Sequence, residues 1–194
     1  MKGIYIFLAD GFEEIEALGT NDLLRRAGLR TELISIKEEP FVSSAHSITV
    51  GVDDCFSFLS KNADHSGTTE KDFLIFPGGM PGAKTLSENK ALIEFMQAHY
   101  DAGGSLAGIC AAPGLVLSQL KGIKDAKVTC YDGYEVKLVE AGARFEPKSA
   151  ITSGRIITGR GAGHAVNFAL EIIKKAAPDK LEDVKYKVLQ NTPV

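Results

Sequence analysis

The sequence has few cysteines, no excess of basic residues and no long apolar run. Its three cysteines, Cys55, Cys110 and Cys130, form no CxxC pair and no Cys/His spacing typical of zinc sites. Lys and Arg number 22 against 25 Asp and Glu, whereas nucleic-acid-binding proteins usually carry a basic excess. No segment approaches the roughly 20 apolar residues needed to span a bilayer. We therefore expect a soluble, cytoplasmic protein that binds neither nucleic acid nor a membrane.

Short apolar runs alternate with helical patterns along the chain, which implies parallel strands joined by right-handed crossovers. The first run, Lys2–Leu8, is typical of a buried strand and not of a signal peptide. No linker or repeat divides the sequence, so we expect one doubly wound α/β domain over residues 1–194. The other predicted strands are Thr31–Ile36, Ser47–Val52, Phe73–Phe76, Ser105–Ile109, Lys127–Thr129, Ala150–Ser153 and Arg155–Thr158. The predicted helices are Glu13–Ala27, Asp54–Leu59, Asn89–Ala102, Ala111–Leu120, Tyr134–Glu140, Ala165–Ala176 and Asp179–Leu189, and Ser60–Lys71 is the best candidate for a loop.

Cys110 is the strongest candidate for a reactive group. It lies between the predicted strand Ser105–Ile109 and a helix predicted to begin at Ala111, as in a nucleophile elbow. A thiol at a helix N-terminus is close to free backbone N–H groups and to the positive end of the helix dipole, and both favour the reactive thiolate. The alternative is a buried structural thiol, which is common for cysteine.

A glycine-rich turn after the strand Phe73–Phe76 is the second candidate. Glycines at a strand end let backbone N–H groups point inward and form an anion pocket. The amides of Gly79 and Ala111 would then form an oxyanion hole beside the Cys110 sulfur. An ordinary turn is the alternative, and a phosphate-binding loop is excluded because no GK[ST] follows Gly78.

Three glutamates open the first predicted helix. Glu13 and Glu14 fit helix-start stabilisation by the helix dipole. Glu16 differs because it lies beside an apolar edge that we predict from Ile15 and Leu18, within the buried stripe Ile15, Leu18, Leu23, Leu24 and Ala27. A desolvated carboxyl stays protonated more easily and can donate a hydrogen bond to a thiolate.

Two further features give weaker signals. The segment Gly159–Gly163 precedes a helix but has no downstream ribose-binding acid, so we interpret it as a wall of the pocket and not as a dinucleotide loop. The four histidines have no mutual spacing typical of a metal site. We expect no metal and no organic cofactor.

At these residues the sequence resembles the ThiJ/PfpI superfamily, in the branch of the Parkinson disease protein deglycase (DJ-one) and its bacterial relatives. The matching stretches are LADGFEEIEALGTNDLLRRAG, FLIFPGGMPGAKTLSEN, LAGICAAPGLVL and ITSGRIITGRGAGHAVNFALEII. The resemblance implies a flavodoxin-like α/β/α sandwich and a homodimer. It also implies roles for particular residues: Cys110 as the reactive cysteine, Glu16 as the protonated acid, Gly78, Gly79 and Ala111 around the anion pocket, and Arg26 near the dimer interface.

The sequence departs from this family at two positions. Where close relatives carry a histidine, this chain has Cys130-Tyr131, so proton shuttling by an imidazole is not expected there, although the Tyr131 hydroxyl could still orient a carbonyl. Protease-like branches carry Cys-His where this chain has Cys110 followed by Ala111, so we do not expect a Cys-His-acid triad or peptidase activity.

The resemblance and the site residues together suggest two functions. The first is a glutathione-independent glyoxalase or protein deglycase that acts on α-oxoaldehydes such as methylglyoxal, with a small aldehyde or a glycated protein as its substrate. The second is a redox-sensing stress-response protein or chaperone that acts through oxidation of Cys110.

Overall fold

A seven-stranded sheet forms the centre of the protein, and all of its strands except the edge strand β10 run parallel. The computed structural model describes residues 1–190, so the last four residues of the domain expected over 1–194 lie outside the described residues. The strands are β1 (Ile4–Leu8), β2 (Thr31–Ser35), β3 (Phe41–Ser43), β4 (Thr49–Gly51), β5 (Asp54–Cys55), β6 (Phe73–Phe76), β7 (Ser105–Ile109), β8 (Lys127–Val128), β9 (Arg144–Phe145), β10 (Ala150–Ser153) and β11 (Ile156–Gly159).

The strand order determines where a ligand site should lie. Across the sheet the order is β10-β11-β7-β6-β1-β2-β5. The five longer parallel strands β1, β2, β6, β7 and β11 thus follow the flavodoxin-like order 2-1-3-4-5, with the topological switch point between β1 and β6. Ligands of such sheets bind beyond the carboxyl ends of the strands at that point.

The central strands form because their apolar runs are covered on both faces. Every residue of β6 and of β7 is buried, as near-continuous apolar runs in a parallel sheet require. The two strands pair in register, with Ile75 opposite Ala107. Both strands have the bounds that the sequence predicted.

Helices cover both faces of the sheet, which confirms the α/β/α sandwich. The helices are α1 (Glu14–Arg26), α2 (Phe56–Asn62), α3 (Gly82–Glu88), α4 (Lys90–Asp101), α5 (Ala112–Leu115), α6 (Glu135–Glu140), α7 (Ala165–Ala176) and α8 (Leu181–Lys187). One apolar core lies between the sheet and α1, α7 and α8. The other lies between the sheet and α2 to α6. Within residues 1–190, no helix combines the length and the apolar character that crossing a membrane requires.

The buried face of α1 differs from the predicted stripe. Ile15 is 58% exposed, whereas Glu16 is 1% exposed and Thr20 is fully buried. The buried positions 16, 20, 23 and 24 follow the helical spacing i, i+4, i+7, i+8. Because this stripe includes two polar residues, the pattern of apolar residues alone predicted a rotated face.

The helix predicted over Ala111–Leu120 is also wrong in length. The α-helix α5 has four residues, and a 3-10 turn at Leu117–Gln119 follows it. Pro113 and Gly114 fall inside the predicted helix, and both disfavour helix interiors. A full helix dipole therefore does not act on Cys110.

Other differences concern short elements. The structure adds β3, β9 and α3, which were not predicted, and Asp54–Cys55 forms an edge strand where a helix was expected. Helix α2 extends to Asn62 into the predicted loop Ser60–Lys71. The antiparallel pair β10–β11 and helix α7 confirm two predictions for the C-terminal part, whereas the helix predicted over Asp179–Leu189 is replaced by a 3-10 turn at Pro178–Lys180 followed by α8.

Candidate active site

Cys110 lies at the carboxyl end of β7, on a backbone bend with φ of 63°. Its N–H donates to the Gly159 carbonyl at 3.0 Å, and its carbonyl accepts from the Tyr131 N–H at 2.9 Å. A positive φ is uncommon for a residue other than glycine and costs energy. The strand, the bend and the following short helix match the nucleophile elbow predicted from the sequence.

Glu16 meets Cys110 across Gly78, which follows β6. The Gly78 N–H donates to Glu16 Oε2 at 2.8 Å, and Glu16 Oε1 is buried with no hydrogen-bond partner among the described residues. A methyl group at position 78 would lie 2.6 Å from Cys110 Cβ, 2.9 Å from its Sγ and 2.8 Å from Glu16 Oε2. Only glycine at this position lets the sulfur and the carboxyl approach each other.

Backbone N–H groups face the sulfur from two elements. Those of Ala111 and Gly79 each lower the pKa of Cys110. Gly79 has a φ of +86°, and a methyl group there would lie 2.4 Å from the Glu13 nitrogen. The Gly79 and Ala111 amides therefore lie beside the Cys110 sulfur, and their role as an oxyanion hole stays a prediction.

The start of α1 is fixed to the turn after β6. The Glu13 side chain accepts from the Glu16 N–H at 2.7 Å and caps the helix, and the Glu13 N–H donates to the Gly78 carbonyl at 3.0 Å. This confirms the helix-start role predicted for Glu13. Glu16 is thereby held at a defined distance from Gly78.

The electrostatics of the pair differ from the expectation of an independently ionised thiol. Burial, the Glu16 charge and a hydrogen bond to Glu16 raise the pKa of Cys110 to about 12, against the opposing effect of the two amides. Burial likewise raises the pKa of Glu16 to about 7. The prediction of a lowered thiol pKa is therefore wrong. Near neutrality the sulfur keeps its proton, and Cys110 becomes a thiolate when Glu16 takes that proton.

Tyr131 is joined to the Cys110 backbone through its N–H. Its side chain is 54% exposed, and its ring lies against Gly161, where a methyl group would be 3.3 Å from Tyr131 Cδ2. The residues Tyr131, Asp132, Arg160, Gly161, Ala162, Gly163 and His164 line a cleft of about 330 Å³. The segment Gly159–Gly163 thus lies beside Cys110.

The other two cysteines have different surroundings. Cys130 is fully buried, and burial raises its pKa to about 12. Burial and nearby carboxylates raise the pKa of Cys55, whose sulfur lies 3.4 Å from the Glu38 carbonyl oxygen. Neither sulfur has the pair of facing amides found at Cys110.

One group of side chains could hold a metal ion. Ligand atoms of Glu13, Glu14 and His46 all lie within 4.8 Å of one another. His46 Nδ1 lies 2.8 Å from Glu14 Oε1, and Glu13 caps α1. The sequence did not predict this proximity, because His46 lies on the β3–β4 hairpin and spacing along the chain does not show it. The helix cap and the His46–Glu14 hydrogen bond already account for the arrangement.

Comparisons with known proteins agree with the fold. Residues 2–175 match the DJ-1/PfpI family. The chain is 27% identical to Protein dj-1beta of Drosophila melanogaster over 185 residues, covering 94% of each chain. It is 33% identical to Glutathione-independent glyoxalase DJR-1.2 of Caenorhabditis elegans over 162 residues, covering 84% of this chain and 81% of that one. The structure of oxidized Toxoplasma gondii DJ-1 superposes with a TM-score of 0.84 at 25% identity, covering 97% and 98% of the two chains.

Proposed function

The chain belongs to the DJ-1/PfpI family, and from this membership and the Cys110–Glu16 pair we propose that it is a cysteine-dependent, glutathione-independent glyoxalase and protein deglycase. Its substrates are α-oxoaldehydes such as methylglyoxal, free or as adducts on proteins. The observation that supports this most is a buried carboxyl with a pKa of about 7 beside a thiol faced by two amides. The C. elegans relative carries the name of a glutathione-independent glyoxalase.

The first step forms a carbon–sulfur bond. Glu16 takes the thiol proton, and the Cys110 thiolate attacks the aldehyde carbon of methylglyoxal. The carbonyl oxygen becomes an alkoxide near the Gly79 and Ala111 amides, which stabilise it. The Glu16 O–H then donates its proton to that oxygen, giving a hemithioacetal.

The second step is an isomerisation without an external oxidant. The Glu16 carboxylate removes the proton from the former aldehyde carbon, and the electron pair moves onto the neighbouring carbonyl oxygen, which gives an enediolate. The Glu16 O–H returns this proton to the neighbouring carbon. The hydroxyl proton of the sulfur-bearing carbon passes to the alkoxide oxygen as the carbonyl of a lactoyl thioester forms on Cys110. Water then cleaves the carbon–sulfur bond, which releases lactate and restores the thiol. One carbon is oxidised and the other reduced, so water is the only co-reactant.

The test is lactate formation from methylglyoxal by the wild type, Cys110→Ala, Glu16→Gln and the control Glu14→Gln. We expect no enzymatic turnover without the sulfur, and a loss of about 10²- to 10⁴-fold in Glu16→Gln, as is usual when a general acid–base group is removed. Glu14→Gln should keep the wild-type rate, because Glu14 binds His46 and not the sulfur. Full turnover in Cys110→Ala, after subtraction of the buffer reaction, would refute the proposal.

Deglycase activity requires a separate measurement. Lactate should form from a preformed adduct faster than the adduct releases free methylglyoxal, which a trapping reagent measures. If the two rates are equal, the protein acts only on the free aldehyde.

A redox-sensing role is the second candidate. Glu16 Oε1 lies buried and unpartnered in the site, so a protonated Glu16 could donate a hydrogen bond to an oxidised sulfur. Two molecules of hydrogen peroxide would convert the thiol to a sulfinic acid, with loss of four electrons from sulfur and release of two waters. Intact-mass and peptide analysis should show two oxygens at Cys110 before Cys55 or Cys130 reacts. Simultaneous oxidation of all three thiols would refute this role.

We also propose that the protein forms a homodimer through the start of α1 and the β3–β4 hairpin. Ile15 and Ile48 are 58% and 49% exposed on these two elements, which are joined by a bridge between Phe12 and Ser44. Sedimentation should give a dimer for the wild type and a monomer for Ile15→Glu, whereas Phe58→Glu, on the exposed face of α2, should remain dimeric. A monomeric wild type would contradict this.

A further inference from the structure

The cleft beside Cys110 is connected to the reactive cysteine through the backbone. The Tyr131 N–H donates to the Cys110 carbonyl, and the Cys110 N–H donates to the carbonyl of Gly159, the residue before Arg160. Two of the cleft-lining residues, Tyr131 and Arg160, therefore adjoin the backbone of Cys110.

Arg160 is the main polar group of the cleft. Its side chain is 24% exposed, and its Nη1 is buried with no hydrogen-bond partner among the described residues. An unpaired buried donor is unfavourable, and a charged one more so. The guanidinium thus has hydrogen-bonding capacity that the protein itself does not use.

The partner that Arg160 does have is easily displaced. Its Nη2 pairs with the Asp132 carboxylate, whose side chain is 78% exposed. An ion pair with an exposed carboxylate is weakened, because water and salt compensate that partner. A carboxylate or phosphate on a ligand could take the place of Asp132 and form two parallel hydrogen bonds to the guanidinium.

We infer that this cleft binds the anionic group of the substrate, and that Arg160 is a specificity-determining residue for α-oxoaldehydes that carry a carboxylate or a phosphate. Until such a group binds, the Asp132 carboxylate pairs with the Arg160 guanidinium. The inference rests on the proposed function for its substrate class, but the anion preference can be measured without turnover.

The first test uses two alkylating reagents that differ only in charge. The rate of Cys110 alkylation by iodoacetate, divided by the rate with iodoacetamide, reports anion binding next to the sulfur. We expect this ratio to fall by about tenfold in Arg160→Gln, the size expected for a lost charge-assisted hydrogen bond, and to rise in Asp132→Asn. The control Arg144→Gln should leave it unchanged, because Arg144 pairs with Asp125 outside the cleft.

The second test compares kcat/KM for 4-carboxyphenylglyoxal and for phenylglyoxal in the same variants. The ratio should favour the carboxylate in the wild type, fall in Arg160→Gln and rise in Asp132→Asn. If both ratios are the same in the wild type and the two cleft variants, the inference is overturned even when methylglyoxal is turned over. If the alkylation ratio shifts as expected while no glyoxal is turned over, the proposed glyoxalase function fails and the anion site stands.

Discussion

Replacing Glu16 by glutamine should change how the stability of the protein depends on pH. The pKa of this carboxyl is raised from 4.5 to about 7, mainly by burial. The folded protein therefore keeps a proton that the unfolded chain loses between these two pH values. At about 1.4 kcal/mol per pH unit, the difference amounts to about 3 kcal/mol of stability.

The sign follows from the direction of the shift. Because the pKa is raised in the folded state, this contribution is fully present below pH 4.5 and is lost as the pH rises towards 7. Glutamine keeps the size and the oxygen that accepts from Gly78 but cannot ionise. The free energy of unfolding of Glu16→Gln, relative to wild type, should therefore increase by about 3 kcal/mol between pH 4.5 and pH 8.

Urea denaturation of the wild type, Glu16→Gln and Glu14→Gln across pH 4.5 to 8 measures this difference. Glu14 is a matched control on the same helix. Burial raises its pKa, but hydrogen bonds from its own amide, His46 and Ser44 outweigh burial and lower it. Its contribution to stability is therefore lost towards acid pH, in the opposite direction. Parallel curves for wild type and Glu16→Gln would show that Glu16 is not a desolvated carboxyl, and the proposed proton transfer would lose its basis.

Three further predictions concern residues around the site. Gly78→Ala should abolish turnover and lower the free energy of unfolding by about 1–3 kcal/mol through overpacking. The control Gly19→Ala, with nothing within 4 Å of its added methyl group, should be neutral or up to about 1 kcal/mol stabilising. An active Gly78→Ala would contradict the close approach of sulfur and carboxyl. Tyr131→Phe should lower kcat/KM for methylglyoxal by about tenfold if its hydroxyl orients the carbonyl through one hydrogen bond, with the rate of Cys110 alkylation unchanged; equal kcat/KM values would remove that role. Cys130→Ser should keep wild-type turnover but have a lower melting temperature, because it places a hydroxyl in a fully buried position at a cost of about 1–3 kcal/mol. A loss of turnover without unfolding would show that this thiol takes part in the reaction.

The strands that could be predicted from the sequence are those buried on both faces of the sheet. Phe73–Phe76 and Ser105–Ile109 are apolar runs covered on both faces, so their bounds follow from composition alone. In α1 the buried face includes Glu16 and Thr20, and no rule based on apolar spacing selects polar residues for a core. The helix after Cys110 is short because it contains Pro113 and Gly114. The apolar residues on either side of them suggested a longer helix.

The site was predictable to a similar extent. Cys110 and Gly79 follow from their positions at strand ends, but the importance of Glu16 came mainly from the family resemblance. The raised pKa of Cys110 depends first on burial and then on the Glu16 carboxyl beside it, and spacing along the chain shows neither. The Arg160–Asp132 pair that lines the cleft was missed for the same reason.

The left-handed backbone at Cys110 has a consequence for protein engineering. Glycine adopts this conformation freely, whereas other residues lose roughly 1–2 kcal/mol there, so Cys110→Gly should be more stable than Cys110→Ala at this φ of 63°. A library screened only for thermal tolerance would therefore enrich chains that have discarded the nucleophile. At this one position, selection for stability opposes selection for the reactive thiol. Mutagenesis aimed at higher stability should therefore leave Cys110 unchanged.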